Sequence, residues 1–164
     1  MSRSKITLVL TIATVTIVAT LAAPTGRKIE AKAFAPTAFP TPEKTLFSEY
    51  RGVKIGMPLA DVRVKIGTTK DKTQSDAQDQ YIFSDNESVQ FYYDASKNVN
   101  AMMITFQGDV SKAPTAKDVF GDDVAPNGDG TIFKMQRYPK AGFWISYTRT
   151  SGADAMVNIA LQKM

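Results

Sequence analysis

The side chains of this sequence that could do chemistry are carboxylates, hydroxyls and amines, because it contains neither histidine nor cysteine. Without histidine there is no Ser–His or Cys–His catalysis, and the usual ligand of zinc and copper is missing. Without cysteine there are no disulfides, thiol nucleophiles or thiolate metal sites. Carboxylate catalysis, oxygen-ligand metal binding and noncovalent recognition remain to be weighed.

The tripeptide Ser84-Asp85-Asn86 matches one element of the penicillin-recognising enzymes. Those enzymes also need a Ser-x-x-Lys and a Lys-Thr-Gly element, and residues 34–164 contain neither. The nucleophile and its activating partners are therefore missing. We interpret the tripeptide as the loop of a hairpin.

Acidic residues crowd the segment from Asp122 to Asp129, which raises the question of calcium binding. An EF-hand needs alternating ligands, a glycine at the sixth position and a distal glutamate, and the spacing here provides none of these. Turn formation explains the segment, and we predict no metal or cofactor. Paired carboxylates for acid–base catalysis stay open as an alternative. The candidates are Asp61, Asp85, Glu87 and Asp94.

Aromatic and polar side chains on one face of the predicted strands are the strongest candidates for a binding site. Alternation along the strands places Gln90 and Tyr92, and likewise Trp144 and Ser146, opposite the apolar set. Exposed amphipathic aromatics are typical of protein-binding hot spots. Cross-strand packing of each aromatic is the alternative. The candidate protein-binding residues are Tyr92, Tyr138, Trp144, Gln90, Ser146 and Met156.

Two short helices and several antiparallel strands are predicted to position these residues. The first helix begins at Pro58, because the fixed φ of proline suits the first turn of a helix, and it ends at Gly67. Thr115 is the N-cap of a second helix over Ala116–Phe120. Residues 68–80 are polar and are predicted to form a loop. Strands are predicted at residues 81–83, 89–93, 99–106, 131–138, 142–149 and 155–162.

The order of these elements is repeated, because residues 57–106 correspond in shortened form to residues 114–161. We therefore predict an α+β fold of two tandem units, each a short helix packed on an antiparallel sheet, forming one compact domain. The predicted boundaries are a signal peptide at 1–33, a Pro-rich linker at 34–45, a first helix-plus-sheet unit at 46–110 and a second at 111–164.

The N-terminus is typical of an exported protein. Arg3 and Lys5 precede an uncharged stretch at residues 6–23, and Ala31-Lys-Ala33 has the small-x-small pattern of a cleavage site. We expect a periplasmic or secreted protein with no membrane attachment after cleavage. An uncleaved membrane anchor is the alternative, since the uncharged stretch approaches the length of a membrane span.

The excess of basic over acidic residues lies in the predicted signal peptide and not in the predicted domain. Five of the 20 Lys and Arg residues precede Phe34, against one of the 16 acidic residues, so residues 34–164 carry no net charge. A neutral domain with interspersed signs lacks the electrostatic footprint of a nucleic-acid or anionic-membrane binder. We therefore exclude nucleic acid as the partner.

The segment from Val53 to Gly67, VKIGMPLADVRVKIG, resembles the opening helix of the SmpA/OmlA (BamE)-type outer-membrane assembly proteins. The tandem order of units looks like that of the beta-lactamase-inhibitory-protein fold group. The resemblance implies an exported α+β protein that works by protein–protein contact. The assembly proteins are typically lipoproteins and the tandem inhibitor is disulfide-bonded, so the absence of cysteine puts both specific roles in doubt.

These features together predict a non-enzymatic binding module whose partner is another protein of the cell envelope or outside the cell. The alternative is a small-ligand carrier or a carboxylate-dependent hydrolase with a pocket between sheet and helices. The sequence leaves the oligomeric state open.

Overall fold

The structure, a computed structural model, describes residues 45–164. The predicted signal peptide and nearly all of the predicted linker therefore lie outside the described residues. Within residues 45–164, no helix combines the length and the apolar character that crossing a bilayer requires.

Strands dominate the described part of the chain. A small hairpin is followed by a helix, four strands, a second helix and three more strands, with a 3-10 turn at Pro139–Ala141. The strands are β1 (Glu49–Tyr50), β2 (Val53–Lys54), β3 (Asp71–Gln74), β4 (Gln78–Ser84), β5 (Glu87–Tyr93), β6 (Val99–Gln107), β7 (Ile132–Tyr138), β8 (Phe143–Arg149) and β9 (Met156–Lys163). The helices are α1 (Leu59–Lys65) and α2 (Ala116–Phe120).

Seven of the strands form one antiparallel sheet in the order β3-β4-β5-β6-β9-β8-β7. Hairpins connect β3 to β6 in sequence, and a second meander runs from β7 to β9. The two meanders join through the pairing of β6 with β9, where Ile104 lies opposite Ile159. The last strand of each meander is therefore in the middle of the sheet.

The predicted α+β fold of two tandem helix-plus-sheet units is wrong. Apart from the separate β1–β2 hairpin, the strands of both predicted units belong to one continuous sheet, and the helices contain only seven and five residues. The reason is the backbone of β6 and β9, since each strand would otherwise present an unpaired edge with buried apolar side chains. Pairing these two edges satisfies their hydrogen-bonding groups and merges the halves into a mainly β structure.

The polar segment predicted as a loop at residues 68–80 contains a strand. All four residues of β3 are exposed, and they pair with β4, which begins at Gln78. An edge strand that is exposed on both faces shows no apolar alternation, so its sequence carries no strand signal.

Both helices pack on the same face of the sheet, which we call the covered face. Val62 of α1 and Val119 and Phe120 of α2 join the strand residues in one buried cluster. The Phe120 ring meets the Tyr147 ring edge-on at 6.5 Å between centroids. A capping box between Thr115 and Asp118 begins α2.

The other face of the sheet, which we call the open face, has no covering layer in the part of the chain described. Every residue on it keeps part of its surface exposed. Its residues, assigned from strand register, are Asp71 and Thr73 of β3; Gln78, Gln80 and Ile82 of β4; Ser88, Gln90 and Tyr92 of β5; Ala101, Met103, Thr105 and Gln107 of β6; Met156, Asn158, Ala160 and Gln162 of β9; Trp144, Ser146 and Thr148 of β8; and Phe133, Met135 and Arg137 of β7.

Candidate functional site

The open face carries few charges, Arg137 on β7 and Asp71 on β3, and it carries exposed apolar side chains. Among its residues on β4 to β9, Arg137 alone is charged. Phe133, Met135 and Met103 are 55%, 51% and 41% exposed. The solvated face of an antiparallel sheet usually carries polar and charged residues, so this composition is unusual for a surface that contacts only water.

A groove of about 390 Å³ crosses the open face between two aromatic side chains. Trp144 lies opposite Gln162, Gln162 opposite Ala101, and Ala101 opposite Tyr92, so one rung of four strands carries both aromatics. Strand spacing places Tyr92 and Trp144 about 14 Å apart across the sheet. The small Ala101 side chain between them leaves the groove open, and Ala160 lines it next to that rung.

The neighbouring rung continues the same arrangement of large side chains separated by small ones. Met135 lies opposite Ser146, Ser146 opposite Ala160, and Ala160 opposite Met103. The methionines therefore flank a depression floored by a serine and an alanine. Flexible thioether side chains adapt their shape to a partner, which is why methionine is frequent on binding surfaces.

Four of the six predicted site residues lie together on the open face. Tyr92 and Trp144 line the groove, and Gln90 and Ser146 belong to the next rung. The Tyr92 hydroxyl donates a hydrogen bond to Gln90 Oε1 at 2.5 Å, which orients the tyrosine ring along its strand. Met156 is on the same face but at the far end of β9, where it pairs with Gln107.

The prediction that Tyr138 is exposed is wrong, because it is 4% exposed and lies on the covered face beside Phe143. In β7, the alternation of apolar and polar residues in the sequence predicts the wrong buried face. Its covered-face positions include Lys134 and Gln136, whereas Phe133 and Met135 face solvent. Lys134 Nζ lies 4.7 Å from the centre of the Phe120 ring and pairs with Asp122. A charged residue therefore occupies a position that normally holds an apolar one.

Sequence reasoning missed Phe133, Met135, Met103 and the two alanines that shape the groove. One signal was available for β7: Tyr138 and Phe143 flank a short turn, so they must pair and share a face. That pairing places Phe133 and Met135 on the side of Trp144. The alanines carry no such signal, because a small residue becomes a groove only between large neighbours on adjacent strands.

A buried carboxylate, Asp79 of β4, is the charged residue with the most enclosed environment in the described structure. Asp79 has no exposed surface and accepts five hydrogen bonds. Arg63 donates two of them, from Nε and from a terminal nitrogen at 2.9 and 2.8 Å. The others come from the Tyr81 and Tyr93 hydroxyls and the Ser75 amide.

Burial by itself raises the pKa of Asp79, but the hydrogen bonds from Arg63, Tyr93 and Tyr81 and the charge of Arg63 outweigh it and lower the pKa below its ordinary value. The carboxylate is therefore ionised at neutral pH, with its lone pairs occupied by five donors. It has no capacity left to accept a proton from a substrate. Its role is to hold α1 against the sheet.

Of the four carboxylates predicted as a possible catalytic set, three have their own partners. Asp85 and Glu87 both line a polar groove of about 410 Å³, but Asp85 pairs there with Lys70, and Glu87 pairs with Arg51 and accepts from the Tyr50 hydroxyl. Asp94 accepts from two backbone amides of its own turn, those of residues 96 and 98. In the first turn of α1, Asp61 is exposed.

In the acidic loop at residues 122–129, considered above for calcium binding, the carboxylates contact other groups of the protein. Asp122 pairs with Lys134, Asp123 lies 3.5 Å from Lys117, and Asp129 accepts from the Thr131 amide. Within residues 45–164 there is no group of three or more acidic residues placed to hold a metal ion. The Ser84-Asp85-Asn86 tripeptide forms the tight turn between β4 and β5, as the hairpin interpretation predicts.

Comparison of the chain with protein-family models, curated proteins and solved structures finds no match.

Proposed function

We propose that this protein is an exported, non-enzymatic module that binds another protein through the open face of its sheet, in the cell envelope or outside the cell. The observation that carries the proposal is the concentration of exposed apolar side chains on a face with few charges. Phe133, Met135 and Met103 are exposed there next to the Tyr92–Trp144 groove. Exposed apolar surface of this kind marks sites of interaction.

The composition of the open face agrees with that of interface centres. Trp, Tyr, Phe, Met and Arg are enriched at such centres, whereas Lys, Glu and Asp are depleted. The six strands β4 to β9, each seven to nine residues long, present an area of roughly 600 Å², similar to the ~800 Å² that each partner contributes to a standard interface. The face is large enough for a specific complex.

The chemistry of the face indicates the kind of partner. An apolar or aromatic side chain of the partner fits between Tyr92 and Trp144, and the surrounding Gln, Ser, Thr and Asn side chains offer hydrogen bonds around it. Charge is sparse on these rungs, where Arg137 opposite Trp144 is the one charged side chain of β4 to β9, and this disfavours a strongly acidic or basic partner surface. We therefore expect a partner whose contact surface is neutral and contains exposed apolar residues.

Export rests on the N-terminal sequence: Arg3 and Lys5, then an uncharged stretch at residues 6–23. The non-enzymatic part of the proposal is supported by the engagement of the candidate carboxylates. Of the four candidates, Asp85 and Glu87 are each paired with a basic side chain, and Asp94 accepts hydrogen bonds from two backbone amides. A pair of free carboxylates facing a common pocket would have supported the hydrolase alternative.

Affinity capture from cell-envelope extracts tests the proposal, with the wild-type protein compared with Trp144→Ala and Tyr92→Ala. Loss of a central aromatic hot spot costs ~2 kcal/mol or more, so each variant is expected to bind the captured partner about 30-fold more weakly. Val64→Ala is the matched control, because Val64 is 84% exposed on α1, away from the open face. Far-UV circular dichroism of each variant checks that the fold is retained. Capture that is unchanged in both aromatic variants would refute the proposal.

A further inference from the structure

The outer edge of β7, seven residues long, is one of the two edges of the seven-stranded sheet. Strand β7 pairs with β8 on one side, and no described segment pairs with its other side. Such an edge presents a row of backbone donors and acceptors that another strand can use. Phe133 and Met135 stand exposed on the open face beside this edge.

The opposite edge of the sheet differs in the features that discourage pairing. Strand β3 has four residues, all exposed, including Asp71 and Lys72. Short, charged and fully exposed edge strands are a usual protection against edge-to-edge contact. The two edges of the sheet therefore differ, and β7 is the longer one and carries two exposed apolar side chains.

The charge of Lys134 does not protect the β7 edge. Its side chain is on the covered face, where the ammonium lies 4.7 Å from the centre of the Phe120 ring and pairs with Asp122 at 2.6 Å. The ammonium is therefore held over the helix layer. An incoming strand would meet the β7 backbone without a free charge at its midpoint.

We propose that β7 pairs antiparallel with β7 of a second copy of this chain, about a two-fold axis at Met135. Full overlap of two strands spanning Ile132–Tyr138 requires this centre, because Met135 is the middle residue. The result is an isologous dimer in which two seven-stranded sheets continue as one of fourteen strands.

The facing residues in this register complement each other. On the open face, Met135 meets Met135 of the second copy, and each Phe133 meets the other copy's Arg137, a pairing of cation with aromatic ring. On the covered face, each Lys134 meets a Gln136. No like charges face each other anywhere along the strand.

Shifting the two-fold axis by one residue removes this complementarity. An axis at Lys134 brings the two Lys134 side chains directly opposite each other, which is destabilising for like charges. An axis at Gln136 leaves Ile132 unpaired and brings Pro139, which has no amide hydrogen to donate, into the ladder. Charge and backbone chemistry therefore select Met135.

The dimer goes beyond the proposed partner binding and is independent of it. Pairing occurs in the plane of the sheet, so the groove between Tyr92 and Trp144 stays accessible in both copies. The two open faces become adjacent, and Phe133 and Met135 of both copies form the seam between them.

Sedimentation velocity of the purified protein over a concentration series tests the inference, together with the charge-reversal pair Met135→Lys and Met135→Glu. We expect the wild-type protein to dimerise and each variant to do so at least about tenfold more weakly, because like charges then face each other at the axis. An equimolar mixture of the two variants should restore a dimer, since opposite charges then meet. That rescue is specific to an axis at Met135.

Two control variants separate the edge from other surfaces. Thr73→Lys alters the opposite edge strand β3 and should leave the dimer intact. Met103→Lys alters the middle of the open face and should weaken partner capture while preserving the dimer. The inference is overturned if the wild-type protein stays monomeric at every accessible concentration, or if the mixed variants fail to associate. Loss of the dimer in Met103→Lys but not in Met135→Lys also overturns it, because association would then be face to face.

Discussion

At the scale of single residues, Asp79 and Arg63 connect α1 with the sheet. The carboxylate on β4 is fully buried, whereas the guanidinium on α1 keeps 33% of its side chain exposed. Removing the Arg63 cation therefore leaves the buried Asp79 carboxylate without its partner. Removing Asp79 instead leaves the Arg63 guanidinium, which water can still reach. The two substitutions are not equivalent.

Arg63→Met is expected to destabilise the protein by about 3 kcal/mol at neutral pH, the lower end for a broken buried ion pair because Arg63 is partly hydrated. The pKa of Asp79 is lowered in the folded protein, so its ionisation contributes stability above its ordinary pKa, and this contribution is lost as the pH falls through the folded-state pKa. In the variant, burial without the cation raises that pKa. At low pH, protonation of Asp79 then removes the free-energy cost of burying its unpaired charge. The stability deficit should therefore shrink below about pH 4. Urea unfolding of both proteins at neutral and acidic pH measures it.

Lys70→Met serves as the control for this prediction, because it removes the cation of a surface pair whose side chains are 55% and 84% exposed. Its effect should stay within ~1 kcal/mol at both pH values. A deficit of Arg63→Met that is the same at neutral and acidic pH would contradict the assigned role of Asp79.

At the scale of elements, α2 depends on its ends because it contains only five residues. An isolated helix of this length is unstable in water, so its caps and its packing must hold it. The capping box at Thr115 begins it, and Gly121 ends it with φ at +90°. A side chain at Gly121 would also place its Cβ 3.1 Å from Leu46 Cδ1.

Gly121→Ala is expected to lower the free energy of unfolding by about 1–2 kcal/mol, because alanine is strained in the left-handed region. Gly128→Ala is the matched control in the loop that follows α2, since its φ is not in that region and no atom lies within 4 Å of the added Cβ. Its effect should be within ~0.5 kcal/mol. Thermal unfolding of the two variants measures the difference, and equal destabilisation would argue against the strain at Gly121.

At the scale of the whole described fold, the pairing of β6 with β9 makes one sheet out of two meanders. Ile104 and Ile159 face each other at this junction, and neither has exposed surface. The single tryptophan, Trp144, is in the second meander. Its fluorescence therefore reports the unfolding of that half.

Ile104→Ala in the first meander is expected to cost about 2–5 kcal/mol, as for other buried large-to-small substitutions. Because the sheet is continuous, the Trp144 fluorescence transition and the far-UV circular dichroism transition should shift together in denaturant. The exposed Val64→Ala should shift neither by more than ~0.5 kcal/mol. A fluorescence transition that stays in place while the circular dichroism transition moves would show that the two meanders unfold separately.

The sequence by itself determined the local elements whose signals are local. Pro58 and Gly67 bound α1, Thr115 caps α2, and apolar alternation locates β5 and β8 with their buried faces. These signals depend only on backbone preferences and side-chain period, so neighbours along the chain suffice to reveal them. The same alternation placed Tyr92 and Trp144 on the side away from the core, which located most of the candidate site.

Tertiary structure decided how the strands are arranged and which side chains meet. The pairing of β6 with β9 joins residues 49 to 61 positions apart, and no local pattern encodes such a contact. The same holds for Lys134, whose position on the covered face depends on Phe120 and Asp122 and reverses the apparent pattern of β7. Sheet register alone brings Ala101 between two aromatics, because a groove is a property of adjacent strands and not of one.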